Sequence, residues 1–346
     1  MALFLARMAF SVLPIGFAFS VAPLTLEDIP HKVDVAHVEV VFPPTEPIEL
    51  FFVGDIMLGR AVESRMEIDG LQYPFLYTES LLSVPDISIG NFEGVVTSEH
   101  MHAPSMTFQF SIRDSYLRHL EAVGFDVLSI ANNHSADYGE GETNYMRTRC
   151  NELTLRCIGD AKSFGPNSVL VRTVNDVDIA FVALHTTWGT LDVVAVTDAI
   201  HALSSTTDMQ VAYVHWGDEY VLTHNESQQK LAEQLIDAGA DAVIGHHPHV
   251  VQDVALYKGK PIFYSLGNFI FDQYFSQDVQ EGMGVRMKIY VDHVVYTLVP
   301  FTSIDSRNQP REMQEGGRAR LLARVLSPIE GYPVADVPAG SIAVPR

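Results

Sequence analysis

Ala242-Val243-Ile244-Gly245-His246-His247-Pro248-His249 joins a short apolar run to three histidines within four residues. An apolar run of this length, closed by glycine and proline, reads as a buried strand. Imidazole is the commonest metal ligand among protein side chains. Three of them at one strand end point to metal binding. Working upstream, Asn225 is a good helix N-cap, with Gln228 three residues later as in a capping box. Leu231, Leu235 and Ile236 mark one helical face, and Gly239 closes the helix. Before that helix, Val211-Ala212-Tyr213-Val214 ends in His215-Trp216-Gly217. The unit is strand, helix, strand. Parallel neighbours joined by such a crossover bring their carboxyl ends together, so His215 is expected beside the histidine block.

The same pattern recurs towards the N-terminus. Leu50-Phe51-Phe52-Val53 ends in Gly54-Asp55, and Ile87-Ser88-Ile89 ends in Gly90-Asn91-Phe92-Glu93. Val127-Leu128-Ser129-Ile130 ends in Ala131-Asn132-Asn133-His134. Short apolar runs alternating with polar, helix-like segments are the signature of an α/β fold. Sites in open α/β sheets form beyond the carboxyl ends of the strands, and each run closes on a residue able to bind metal or move a proton. Downstream the pattern changes. Val251 to Tyr257 and Pro261 to Tyr264 flank Lys258-Gly259-Lys260, as a hairpin would. Met287 to Val291 and His293 to Pro300 form a second such pair around Asp292, and Gln314 to Val325 reads as a closing helix.

Hydrolytic divalent-metal sites use carboxylate, imidazole and amide oxygen donors. The strand ends supply Asp55, Glu93, Asn133, His215, His247 and His249. That is about the number a two-metal site requires. Each alone has a plainer reading. Asp55 after Gly54 could cap a helix, an isolated asparagine is usually a turn residue, and a lone glutamate is usually solvated. His185 ends the run Ile179 to Leu184 and is a weaker candidate. His224 reads as a surface residue, and His100 and His102 have no partner visible in the sequence.

The 346 residues carry 22 Lys plus Arg against 43 Asp plus Glu, a formal charge of −21. A nucleic-acid backbone binder needs a basic footprint, and none is present. An anionic polymer would be repelled too, unless a local cation reversed the field. Residues 1–22 read as a signal peptide or membrane anchor: Arg7 precedes an apolar run from Met8 to Ala22, with Ala18-Phe19-Ser20 at cleavage-like spacing. Residues 23–47, rich in proline, read as a linker, 48–330 as one domain, and 331–346 as a loose tail. Cys150 and Cys157 either pair across a helix-to-strand turn or stay free.

Taken in order, Gly54-Asp55-Ile56-Met57, Gly90-Asn91-Phe92-Glu93, Asn132-Asn133-His134, His215-Trp216-Gly217, Gly245-His246-His247-Pro248-His249-Val250 and Ser265-Leu266-Gly267-Asn268-Phe269 resemble the signature blocks of the CapA (PGA_cap) family, a branch of the calcineurin-like metallophosphoesterases. The resemblance implies a four-layer αββα sandwich, in which two mixed sheets pack face to face with helices outside. It implies one or two divalent metal ions (Mn, Fe, Zn or Mg). Asp55 would hold the first, Glu93 or Asn91 would stand where the superfamily has a bridging aspartate, Asn133 and His215 would hold the second, and His247 and His249 would serve both. His134 would match the superfamily's proton donor. His246, Asn268 and Asp272 would line the site. Two departures stand out: Met57 replaces the imidazole of the usual Asp-x-His, and Asn91-Phe92-Glu93 replaces the bridging aspartate. His246 is the available substitute for the lost imidazole.

The implied function is biosynthesis of a capsule or poly-γ-glutamate-type polymer by an exported or membrane-anchored protein of the bacterial cell envelope. One form is a metal-dependent hydrolase acting on an anionic polymer or phosphorylated precursor. The alternative is a non-catalytic partner of membrane synthase subunits, with a structural metal site.

Overall fold

Every residue of the strand Ile48–Ile56 except Glu49 is buried. A strand apolar on both faces needs cover on both, and that requirement sets the layering. The structure, a computed structural model, describes residues 46–102, 108–327, 329 and 340–346. The expected leader and most of the expected linker lie outside the described residues. Among those described, no helix is long and apolar enough to cross a membrane.

The first sheet has nine strands. Its centre runs parallel, from Ile48–Ile56 to Ile87–Phe92, Val127–Ser129 and Arg156–Ile158. On its other side the strand Ile48–Ile56 pairs antiparallel with Glu281–Ile289, which pairs antiparallel with His293–Thr302. The second sheet has six strands, with Val177–His185, Met209–His215, Ala242–His246 and Lys260–Phe263 parallel, and antiparallel edges Val169–Val174 and Val254–Tyr257. Side chains alternate between faces along a strand. Phe52, Ile89 and Val127 therefore meet Phe181, Tyr213 and Ile244 between the sheets. The alternate residues Phe51 and Val53 pack outward with Met66, Leu117 and Met146 of the helices Arg60–Asp69, Ser115–Ala122 and Glu140–Asn151. Val182, Val214 and Val243 pack outward from the second sheet with Ile200 and Leu235 of Val193–Leu203 and Glu226–Ala238. The layers are helix, sheet, sheet, helix, as the family resemblance implied. Each large side chain in these cores contributes on the order of 2 kcal/mol.

Register delivers the site. In the first sheet Asp55 is the register partner of Asn91 on one side and Asn268 on the other. In the second, His215 is level with both His185 and His246. The strand Ile48–Ile56 shifts register around Asp55, a device that commonly re-aims a side chain next to a site.

Local expectations can be checked in turn. Asn225 accepts from the Gln228 amide and the Gln228 side chain accepts from the Asn225 amide, each at 3.0 Å, completing the capping box. The hairpin around Lys258-Gly259 and the helix Glu315–Leu326 are present. Cys150 and Cys157 are bonded, linking the helix Glu140–Asn151 to the strand Arg156–Ile158. The loose tail is a correction. Ser341–Pro345 is a strand that pairs antiparallel with His293–Thr302, and Ile342 and Val344 enter the core between the sheets. Its period-two alternation was present in the sequence, but the flanking prolines hid it. His224 is corrected as well. Its amide donates to Asp253 at 3.0 Å and its ring stacks on Tyr264 at 3.8 Å. A half-buried histidine next to a buried carboxylate has more to do than meet solvent.

Two glycines sit immediately before site residues where the chain passes another backbone. A Cβ on Gly54 would lie 1.9 Å from the Gly267 carbonyl oxygen, and one on Gly245 would lie 2.0 Å from that of Tyr264. Gly316, in a helix, has nothing within 4 Å of the same position. Gly54→Ala is expected to cost more than about 2 kcal/mol in urea unfolding, whereas Gly316→Ala leaves stability unchanged or raises it by about 0.5 kcal/mol. Equal effects at both positions would contradict the close packing at Gly54.

Candidate metal centre

The strand ends of the two sheets meet in one buried polar cluster. Asn91 is its hub. The Asn91 amide nitrogen lies 2.8 Å from Asp55 Oδ1, 3.1 Å from Glu93 Oε1 and 3.2 Å from His215 Nδ1. An amide has two hydrogens for these three neighbours, so one acceptor in the group is left over. Asn91 is itself oriented by Asn132, whose side chain donates to Asn91 Oδ1 at 3.2 Å and to the Phe92 carbonyl at 2.9 Å. Asn132 Oδ1 also accepts from the His134 amide at 3.0 Å.

The histidine block closes over this hub. Asp55 Oδ2 lies 3.2 Å from His249 Nδ1, and Asp55 Oδ1 lies 3.3 Å from His246 Nδ1. His249 Nδ1 is also 3.0 Å from Asn268 Oδ1. The Asn268 amide nitrogen donates to Gln273 and to the Val279 carbonyl. Its oxygen is therefore the acceptor, and His249 Nδ1 carries the hydrogen. The other ring nitrogen, Nε2, then faces Glu93 Oε2 at 3.8 Å. His215 Nε2 meets Asn133 Oδ1 at 2.8 Å, and the His247 ring lies 4.6 Å from that of His215. His247 and His249 both adopt positive φ, 97° and 56°. Strain of this kind in non-glycine residues collects at functional sites.

Burial and crowding set the protonation of the cluster. Burial alone would raise the Asp55 carboxyl, but the neighbouring His246 and His249 imidazoles outweigh it and hold the group well below its usual range. Glu93 is pushed well above its usual range by burial and by the Asp55 carboxylate. Burial opposes charge on His249, yet Glu93 and Asp55 raise it to about 9. Burial and the His249 charge lower His247 to about 4, and burial with His247 lowers His215 well below its ordinary value. His215 and His247 are thus neutral imidazoles at physiological pH, the form that ligates a metal.

The donor set fits divalent cations. Asp55 Oδ2, Glu93 Oε2, His247 Nδ1 and both ring nitrogens of His246 are buried and make no well-formed hydrogen bond, although imidazole nitrogens stand 3.2 Å from Asp55 Oδ2 and 3.3 Å from Asp55 Oδ1. Leaving one such group unsatisfied costs on the order of 1–3 kcal/mol, and a divalent cation here would satisfy several of the five atoms at once. Asp55, Glu93 and His249 place one ligand atom each within 4.8 Å of one another, and so do Glu219, His247 and His249. The two groups share His249. Met57 is no ligand, because its sulfur accepts from the Gly59 amide at 3.1 Å. His246, whose Nδ1 lies 3.3 Å from Asp55 Oδ1, offers the imidazole that the Met57 position lacks.

His134 stands at the edge of the cluster. Its Nδ1 lies 3.0 Å from Asp137 Oδ2, and its ring packs on Phe110 at 4.1 Å. Asp137 also accepts from the Phe110 amide at 2.8 Å. Of the residues singled out in sequence, Asp55, Asn91, Glu93, Asn133, His215, His246, His247, His249 and Asn268 come together. Asp272 does not join them: its carboxylate pairs with the Arg60 guanidinium instead. His185 turns its Nε2 to the Ala161 carbonyl at 2.7 Å and is used structurally. Sequence reading missed the orienting role of Asn132 and the presence of Glu219. Both lie inside or two residues beyond quoted blocks, where spacing alone carried no preference. It also found no partner for His100, which lies 2.7 Å from the buried Glu63 carboxylate.

The bacterial capsule synthesis protein PGA_cap family matches residues 49–273. The chain belongs to that family. The PGA biosynthesis protein CapA of Bacillus subtilis (strain 168) is 34% identical over 238 residues, covering 64% of this chain and 63% of that protein. The capsule biosynthesis protein CapA of Bacillus anthracis is 32% identical over 249 residues, covering 66% of this chain and 61% of that protein. The chain thus spans about three-fifths of the length of these curated relatives. Among solved structures, a phosphatase from Mycoplasma pneumoniae is 13% identical with a TM-score of 0.43, covering 78% of this chain and 91% of its own. The NAD nucleotidase of Haemophilus influenzae is 12% identical with a TM-score of 0.43, covering 82% and 63%.

A ligand that binds only the folded state raises the melting temperature. Adding Mn²⁺ or Zn²⁺ to chelator-treated protein is expected to raise it by several degrees in scanning calorimetry, and Asp55→Asn is expected to abolish most of the rise. An undiminished rise in the variant would remove Asp55 from the ligand set.

Proposed function

We propose that this PGA_cap protein is a metal-dependent hydrolase that cleaves a phosphoester or amide bond in an anionic cell-envelope polymer or its precursor. The observation that supports it most is the set of unsatisfied, buried carboxylate and imidazole atoms converging from both sheets on one pocket. Asp55, Glu93, His246 and His249 would hold one cation; Asn133, His215, His247 and Glu219 would hold a second. Such cations supply Lewis acidity toward a tetrahedral phosphoryl or acyl centre.

The chain's own residues do the rest. Asn91 and Asn132 fix the two carboxylates in place, so the pocket does not reorganise as charge develops. Asn268 accepts from His249 Nδ1 and so fixes the ring with Nε2 facing Glu93. Asp137 and Phe110 clamp His134, with Asp137 bonded through Nδ1, so that Nε2 is the atom that delivers a proton to the leaving group. The membrane-synthase partner role is the second reading. The observation favouring it is the sulfur of Met57 in the position of the usual imidazole.

Wild-type protein loaded with Mn²⁺ is expected to turn over a generic phosphodiester or γ-glutamyl amide. His134→Ala should lower kcat by roughly 10²–10⁴-fold with little change in KM. No turnover by the wild type with any divalent metal would leave the non-catalytic role standing alone. Unchanged turnover in the variant would free His134 from the acid role.

A further inference from the structure

Beside the metal centre lies a second recess, a cleft of about 680 Å³. Arg60, Arg65 and Arg307 line it together with the rings of Tyr73 and Tyr274. Three guanidinium groups in one cleft are notable in a chain with 43 acidic residues against 22 basic ones. We propose that this cleft binds a carboxylate-bearing polymer chain, holding the repeat units next to the one at the metal centre.

The walls are built in advance. The Gln309 side chain donates to the Tyr73 carbonyl at 2.8 Å, and the Tyr73 hydroxyl donates to the Arg307 carbonyl at 3.1 Å. Asn308, at φ 66°, donates to the Phe271 carbonyl at 2.9 Å and to the Tyr274 hydroxyl at 2.6 Å. These bonds fix the loop that carries Arg307 against the turn Tyr73–Phe75 and the segment that carries Phe271 and Tyr274, and the Arg65 guanidinium donates to the Tyr73 hydroxyl at 3.2 Å. The Arg65 guanidinium lies over the Tyr73 ring at 4.7 Å and that of Arg307 over Tyr274 at 4.6 Å. Each cation is thereby presented on an aromatic face that can also cover the methylene groups of a chain.

The cleft adjoins the metal centre through one layer of rings. The Arg60 guanidinium sits 4.6 Å from the Phe110 centroid and 5.8 Å from that of Phe271. Phe110 packs on His134 at 4.1 Å, and Phe271 on His249 at 4.8 Å. Phe110, Phe271 and Arg60 are all buried, so this layer is a thin wall between the cluster and the cleft.

Charge selects the ligand. Arg60 is paired with Asp272, and Arg65 forms an exposed pair with Asp69 at 2.9 Å. Such an exposed pair is worth little and yields readily to a ligand. Arg307 has no ion-pair partner among the described residues, and Asp305 also lines the cleft. Three guanidiniums thus face three carboxylates, Asp69, Asp272 and Asp305, so the cleft is close to neutral and its charges are spread out. It suits singly charged carboxylates spaced along a chain, each taken by a guanidinium fork. It does not suit densely charged polyphosphate. A near-neutral cleft spares a polyanion the repulsion that the chain's net charge of −21 imposes elsewhere.

This inference rests on the reading of the neighbouring centre as a site for an envelope polymer, but binding can be measured without turnover. Fluorescence anisotropy with a labelled γ-linked glutamate decamer is expected to show binding that weakens as salt rises. The Arg65→Ala/Arg307→Ala double variant should bind at least roughly tenfold more weakly, with its metal content unchanged. Arg307→Lys should fall between the two, since a point charge without the fork remains. Lys258→Ala, which removes a cation elsewhere on the surface, should bind like the wild type. No binding by the wild type, an equal loss with Lys258→Ala, or equally tight binding of polyphosphate of matched charge would each overturn the proposal. A decamer that binds through the arginines and is never cleaved supports the cleft and removes the amide form of the hydrolase reading. Cleavage that ignores both arginines does the reverse.

Discussion

Asp55 and Glu93 are two carboxylates buried completely and bridged by a single amide, that of Asn91. Two negative charges that close cannot both persist in a dry interior without compensation. The protein resolves this with unequal protonation and with imidazoles: Asp55 stays ionised beside His246 and His249, while Glu93 is driven towards its neutral form. Much of the surrounding architecture serves that arrangement. The glycines before Asp55 and His246 let two chain crossings come within hydrogen-bonding range. The register of both sheets keeps the donors level. The strained backbone at His247 and His249 accompanies two imidazoles with different neighbours, His247 beside His215 and His249 beside Asp55 and Glu93.

A buried group of this kind stabilises the apo protein poorly. Hydrophobic contact between the sheets must therefore supply the stability that the polar centre withholds. The partition is visible in the packing. Phe52, Phe181 and Tyr213 fill the space just beneath the cluster, whereas the polar residues occupy only the rim where the strands end. The fold thus separates what holds the sandwich together from what it offers to a ligand. The PGA_cap family match, from residue 49 to 273, covers the cluster and part of the core between the sheets.

Much of this could be read from the sequence because two signals reinforced each other. Buried-type strand runs gave the α/β class, and the donors that ended them gave the site. The capping box at Asn225 fixed the crossover that brings His215 and His246 level. What stayed hidden depended on distance through space. Asp272 follows the final signature block, yet an arginine more than two hundred residues upstream captures it. Asn132 and Asn133 are neighbours of the same type, and only the turn after the strand decides that one orients Asn91 while the other meets His215. The C-terminal strand Ser341–Pro345 is short, and its membership of the sheet depends on an edge left open by His293–Thr302. Glu219 sits on an exposed loop, where a glutamate is ordinarily unremarkable.

Tyr213 carries a consequence of its own. It belongs to the second sheet, but its hydroxyl donates to the Val53 carbonyl of the first at 3.2 Å, and its ring lies against His246 at 4.3 Å. One side chain is thus both a pin between the layers and the floor beneath an imidazole. A shear of one layer over the other would have to break that pin, and the first thing to tilt would be the His246 ring. The spacing of the two sheets and the aim of this histidine are therefore a single mechanical variable.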